Sequence, residues 1–140
     1  VVYDDSPAEV TKPECAKCLI DNKVGDALFE SNNAGMYFAR DVAELVKNAG
    51  FNTSIRTKRT ISNKQTRIEF ASDGIKKHFY FKHPSTYKRG CQYWGFMQEV
   101  TTYVRSGKVA HDDAPDSLSL LENEIRNRIS GKIEIFKRPF

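Results

Sequence analysis

Along the chain the apolar positions change period several times, and each change marks an element. Cys15, Cys18 and Leu19 recur at i, i+3 and i+4, which predicts a short helix ending near Asn22 and Gly25. Ahead of it, Thr11-Lys12-Pro13-Glu14 has the form of a capping box, with proline in the first turn where its missing N–H costs nothing. Ala27, Leu28 and Phe29 are then continuous, the pattern of a strand over 26–30 buried on both faces. Asn32-Asn33-Ala34-Gly35 breaks that run. Phe38, Val42 and Leu45 restore spacings of four and three, a helix closing at Asn48-Ala49-Gly50. A strand over 53–57 follows. Strand, turn, helix and strand form the βαβ rhythm of an α/β domain.

A second capping-box pattern, Ser62-Asn63-Lys64-Gln65, opens a helix to about residue 72 with Ile68 and Ala71 inward. His78-Phe79-Tyr80-Phe81 reads as a strand or an extended hydrophobic anchor. Residues 91–104 read as an aromatic helix carrying Tyr93, Trp94, Phe96, Met97, Val100 and Tyr103; the spacing favours packing over base stacking. The last helix runs from about Asp113 to Arg128, with Leu118, Leu121, Ile125 and Ile129 as its buried stripe. Residues 1–3 read as the end of a strand, and about 130–140 as a tail.

At 140 residues the chain reads as one domain, 1–140, large enough for a core without disulfide staples. No apolar run approaches the roughly 18 residues that a membrane span needs, so no membrane partner is expected. The first residues lack the basic start and apolar centre of a signal peptide. Three cysteines without framework spacing suit a reducing cytosol. Cys15-Ala16-Lys17-Cys18 has no second pair, and Cys91, His78, His83 and His111 complete a zinc site only at irregular spacing, so both cysteines read as core-facing. No Walker-type glycine loop is present, which excludes ATP hydrolysis by that route.

Charge sharpens the picture. Ten basic residues between Arg56 and Arg89 face only Glu69 and Asp73, so this stretch carries +8; the rest, with 12 basic and 16 acidic residues, carries −4. A basic middle between acidic flanks suits a polyanion brought to carboxylates, or simply a solvated lysine-rich face. The carboxylates that stand out are Asp112, Asp113 and Asp116 in His111-Asp112-Asp113-Ala114-Pro115-Asp116-Ser117-Leu118, at a helix start. One capping aspartate explains one of them; Asp113 and Asp116 share a helix face and together can present oxygen to a cation. Glu30 ends a predicted strand, the edge where open α/β sheets hold ligands, though taken alone it reads as a solvated strand end; Asn32, Asn33 and Gly35 beside it could shape a tight turn or, each taken singly, an ordinary loop.

Taken jointly, three segments resemble the C-terminal nuclease domain of phage terminase large subunits: Glu30-Ser31-Asn32-Asn33-Ala34-Gly35 with Phe38-Ala39-Arg40 and Val42, then Asn63-Lys64 with Arg67-Ile68, then His111 to Leu118. The resemblance covers about residues 1–125. It implies an RNase H-like mixed sheet flanked by helices, and a two-metal endodeoxyribonuclease that uses Mg²⁺ or Mn²⁺ to cut concatemeric DNA at packaging. It further implies double-stranded DNA, the ATPase domain of the same full-length protein, the portal and the small terminase subunit as partners, and the host bacterial cytoplasm as location. Glu30 would be the strand-borne metal ligand and catalytic residue, with Asp113 or Asp116, then Asp112, as the helix-borne one. Lys64 and Arg67 would contact DNA or brace the site, with Arg56, Lys58 and Arg59 as further DNA contacts. The family's remaining catalytic aspartate lies on a first strand upstream of residue 1, so the chain is expected to be an N-terminally truncated fragment, weak or inactive alone. The alternatives are a non-catalytic nucleic-acid-binding or motor-docking module on the same fold, and another RNase H-like enzyme such as a resolvase.

Overall fold

Asp26–Glu30 (β1) and Ser54–Lys58 (β2) pair in parallel, Asp26 opposite Ser54 and Glu30 opposite Lys58, joined by the helix Gly35–Asn48 (α2). The computed structural model describes residues 1–32, 34–104 and 111–130, with the side chain of Ser130 left out. By contact the chain divides into two units, Val1–Ile61 and Ser62 onward. Among the described residues the architecture is α/β: five α-helices, one short 3-10 turn and this two-stranded sheet. No helix among them is long and apolar enough to cross a membrane.

In the first unit, Ala8–Asp21 (α1) packs on α2, and α2 packs on both strands. The core is Ala16, Val42 and Val46, with Cys15, Leu19, Ile20, Phe29, Phe38 and Ile55 against it. Gly50 ends α2 with φ +78°, the left-handed turn that closes a helix without a Cβ penalty. Arg56 crosses to Asp26 with two bonds, 3.0 and 2.9 Å, stitching the strands from the solvent side.

Four expectations change here. Residues 1–3 form no strand, and α1 begins at Ala8 behind Pro7, whose carbonyl accepts from Val10 and Thr11; Thr11-Lys12-Pro13-Glu14 therefore lies inside the helix and is no cap. β1 is half-buried, not buried on both faces, because α2 supplies its cover and the strand end is exposed. In α2, Val46 takes the buried place expected of Leu45, which is 38% exposed.

In the second unit, Lys64–His78 (α3), Gln92–Thr102 (α4) and Asp113–Ser130 (α5) follow, with a 3-10 turn at Pro84–Thr86. α3 is capped by Asn63, whose side chain accepts from Thr66 N–H at 3.2 Å, so the cap is one residue later than a Ser62 box would place it. The helix runs through residues 72–78, and no strand forms at 78–81. Cys91 caps α4 through Sγ, which accepts from Trp94 N–H at 3.4 Å. Tyr87, Tyr93 and Phe96 pack ring against ring, while Arg89 lies over Trp94 and Lys82 over Tyr93.

α3 and α4 each pack on α5. Lys64 meets Asp113, Arg67 meets Asp116, and Gly74 meets Glu122, so α3 and α5 run side by side in the same direction. The expected stripe on α5 is only part buried: Leu118 is 8% exposed, but Leu121, Ile125 and Ile129 are 50, 42 and 62% exposed. Buried space at the start of α5 goes instead to Ala114, Pro115, Asp116, Ser119 and Glu122. Periodicity locates an apolar face; it cannot say how far along the helix its neighbours reach.

Candidate functional site

Glu30 stands at the carboxyl end of β1, and the turn after it is built from its own motif. Asn32 Nδ2 donates to Glu30 Oε1 at 2.8 Å and to the Thr60 carbonyl at 3.0 Å. Its Oδ1 accepts from Thr60 N–H at 3.4 Å, so one side chain ties the loop after β1 to the loop after β2. Gly35 N–H donates to the Asn32 carbonyl, and a Cβ on Gly35 would overlap the Glu30 carbonyl oxygen. Only glycine lets α2 start this close to the strand end. Of the two readings, tight turn or ordinary loop, Asn32 and Gly35 form the tight turn; Asn33 lies outside the described residues.

The second unit gathers the other candidate residues. Asp112 O accepts from Asp116 N–H and starts α5, which places Asp113 and Asp116 in its first turn, at the positive end of the helix. Lys64 Nζ lies 2.6 Å from Asp112 Oδ1 and 2.6 Å from Asp113 Oδ1, bridging the two. Burial pulls the Lys64 ammonium down, but hydrogen bonds and charge from Asp112 and Asp113 outweigh it and hold its pKa above the ordinary lysine value.

Arg67 and Asp116 form the more enclosed pair, with side chains 16 and 8% exposed. Arg67 Nη2 donates to Oδ1 at 2.9 Å and to Oδ2 at 2.7 Å, and Nε to Oδ1 at 3.1 Å. Its Nη1 donates to the Ser62 carbonyl at 2.6 Å, and Ser119 Oγ reaches Asp116 Oδ1 at 3.1 Å. Both oxygens of Asp116 are thus engaged by a planar, bidentate cation.

Glu99, 8% exposed on α4, accepts from Asp113 N–H at 2.8 Å and so caps α5 from a neighbouring helix. The sequence reading passed over this residue. Its signal was a lone carboxylate beside Phe96, Val100 and Tyr103 on an otherwise apolar helix face. Tyr103 registers the field of the cluster: burial first, then the charges of Asp112, Glu69 and Asp116, push its hydroxyl pKa up.

Of the candidate DNA contacts, Lys58 and Arg59 are exposed, Arg56 is turned to Asp26, and Lys64 and Arg67 are turned to the aspartates. Glu30 belongs to the first unit, and Asp112, Asp113 and Asp116 to the second. Among the described residues no group of three or more His, Cys, Asp or Glu is placed to hold a metal ion. The donor chemistry nonetheless suits a hard cation at Asp112 and Asp113, whose side chains are 40 and 84% exposed. At Asp116 it does so only if the Arg67 pair opens. Cys15 packs in the core, and burial, followed by the charges of Cys18 and Glu14, raises its thiol to about 11. Compared with family models, curated proteins and solved structures, the chain matches none of them.

Proposed function

We propose that this chain is the RNase H-like, metal-dependent endonuclease domain of a viral genome-packaging terminase, cutting double-stranded DNA. One observation carries the reading. The residues that bear the resemblance are joined to one another: Glu30 to Asn32 over Gly35, and Lys64 and Arg67 to Asp112, Asp113 and Asp116. Segments 49 residues apart have no local reason to pair, so the joining supports a common purpose.

In this reading Glu30 at the end of β1, and Asp113 with Asp112 at the start of α5, are each oxygen donors for Mg²⁺ or Mn²⁺. The bound ions would activate water and stabilise the leaving oxygen of a phosphodiester. Arg67 braces Asp116, and Lys64 neutralises Asp112 and Asp113 until a cation takes its place. Lys58 and Arg59, at the end of β2 and just past it, face solvent and would meet DNA phosphates. The ATPase domain, the portal and the small terminase subunit are the partners that this reading carries. A second reading, a non-catalytic module whose carboxylates serve only as ion-pair partners, is favoured by the engagement of both Asp116 oxygens.

Manganese binding followed by electron paramagnetic resonance, with plasmid nicking in Mn²⁺, separates the two. The nuclease reading expects Mn²⁺ binding that Glu30→Gln and Asp113→Asn each weaken at least about tenfold, since loss of even the groups that orient a metal ligand costs that much. It also expects slow nicking that both variants abolish. Binding that neither substitution changes, or none at all, would leave the non-catalytic module.

A further inference from the structure

From Gly74 to Gln98 the chain has no Asp or Glu but carries five cations, Lys76, Lys77, Lys82, Lys88 and Arg89. The aromatic residues of this stretch are of two kinds. Phe96 is buried on α4, as its helical spacing expects. Tyr80, two residues past the end of α3, is 97% exposed, and Phe81 is 37% exposed. A ring as bare as Tyr80 contributes nothing to packing, whereas a tyrosine ordinarily buries much of its body.

The segment after Tyr80 is fastened to the start of α4. Lys82 N–H donates to Tyr93 Oη at 2.9 Å, and its ammonium lies 5.4 Å from the centre of the same ring. Tyr87 packs edge-on to Tyr93 at 4.9 Å, and the Arg89 guanidinium lies 5.8 Å from the centre of the Trp94 ring. Lys64 and Arg67 are held by carboxylates that cancel their charge; Lys82 and Arg89 are held by rings that leave it uncancelled. Lys82, Lys88 and Arg89 are exposed and meet no carboxylate among the described residues.

We propose that this face of the second unit binds single-stranded nucleic acid, with bases stacking on Tyr80 and phosphates meeting Lys82, Lys88 and Arg89 beside Trp94. The charge selects a polyanion, and the bare ring selects one whose bases are open. A duplex keeps its bases stacked on each other and offers Tyr80 only backbone. The surface uses none of the residues of the proposed nuclease site, so it stands or falls apart from that reading.

Fluorescence anisotropy tests it, with the whole chain in EDTA and a labelled oligothymidine of about twelve nucleotides, within the site size of such grooves. Circular dichroism confirms folding, which exposed positions such as 80, 88 and 89 should leave intact. The wild type should bind the oligomer and lose fluorescence from Trp94, the chain's one tryptophan. Tyr80→Ala should weaken binding about tenfold, the loss of one stacked base, and Tyr80→Phe should keep it. Lys88→Ala with Arg89→Ala should lower the salt slope by about 1.4, as two lost phosphate contacts on a single strand do. No binding at low salt, or Tyr80→Ala binding like the wild type, overturns the proposal. So does a duplex of the same length that competes as well as the single strand, which would leave a duplex-binding charge surface. Binding to phosphatidylglycerol vesicles with none to the oligomer overturns it too, and would assign the face to a lipid surface.

Discussion

Gly74 on α3 lies directly against the Glu122 side chain on α5: a Cβ there would sit 2.8 Å from Glu122 Cδ and overlap its Oε1. Glu122 is 8% exposed and bonded to Arg126 at 2.7 Å, so it fills the space a side chain at 74 would need. Alanine at 74 gains helix propensity of about 1 kcal/mol over glycine. It also displaces a buried carboxylate, at a cost of about 1–3 kcal/mol. Gly74→Ala should therefore be destabilising or neutral in urea melts, never stabilising by the full propensity gain. Adding Glu122→Ala should bring that gain back.

Gly35 differs in kind, because its obstacle is the backbone carbonyl of Glu30, which cannot rotate aside. Gly35→Ala should cost about 1–3 kcal/mol, from overpacking that moves the start of α2. Amide chemical shifts should report the disturbance at residues 30–36. A variant of unchanged stability and unchanged shifts there would remove the close approach from the account.

Arg67→Ala leaves Asp116 buried without its cation, and a broken buried pair of this kind costs about 3–5 kcal/mol. Arg67→Lys should recover only part, since an ammonium cannot reproduce the bidentate geometry. Replacing both residues, Arg67→Met with Asp116→Leu, should be much milder than Arg67→Ala. If Arg67 served only to touch phosphate, none of the three would move the melting temperature.

Alkaline pH acts on two groups with the same sign. Cys15 is held neutral up to about 11 in the folded chain, whereas an exposed thiol ionises near 8.5. Its contribution is complete below the ordinary thiol value and declines from there to about pH 11, as the unfolded state gains charge that the core excludes. Lys64, held above the ordinary lysine value by Asp112 and Asp113, loses its contribution only as pH rises through and past that value. Stability should therefore fall first in the thiol window. At pH 8, alkylation of Cys15 measured by mass spectrometry should be roughly a hundredfold slower folded than in denaturant.

How much could be read in advance follows the range of each interaction. The α2 crossover, the Asn-Asn-Ala-Gly break and the helical faces of Ile68, Ala71 and Val42 rest on neighbours within a turn or two, and they were legible. The start of α1 was misplaced because Thr11-Lys12-Pro13-Glu14 satisfies a local pattern, while Pro7 caps through its carbonyl alone. Arg67 with Asp116, and Glu99 on the Asp113 amide, depend on which helices lie together, which no local period encodes. The same holds for Leu121, Ile125 and Ile129, apolar by period yet uncovered.

The side-by-side course of α3 and α5 sets a timetable for a ribosome making this chain. Lys64 and Arg67 emerge 49 residues ahead of Asp113 and Asp116. At about 5–20 residues per second the earlier helix waits roughly 2–10 s for its mate. Throughout that interval Ile68 and Ala71, buried in the finished fold, face water, so this part of the second unit's core closes only when its last helix arrives.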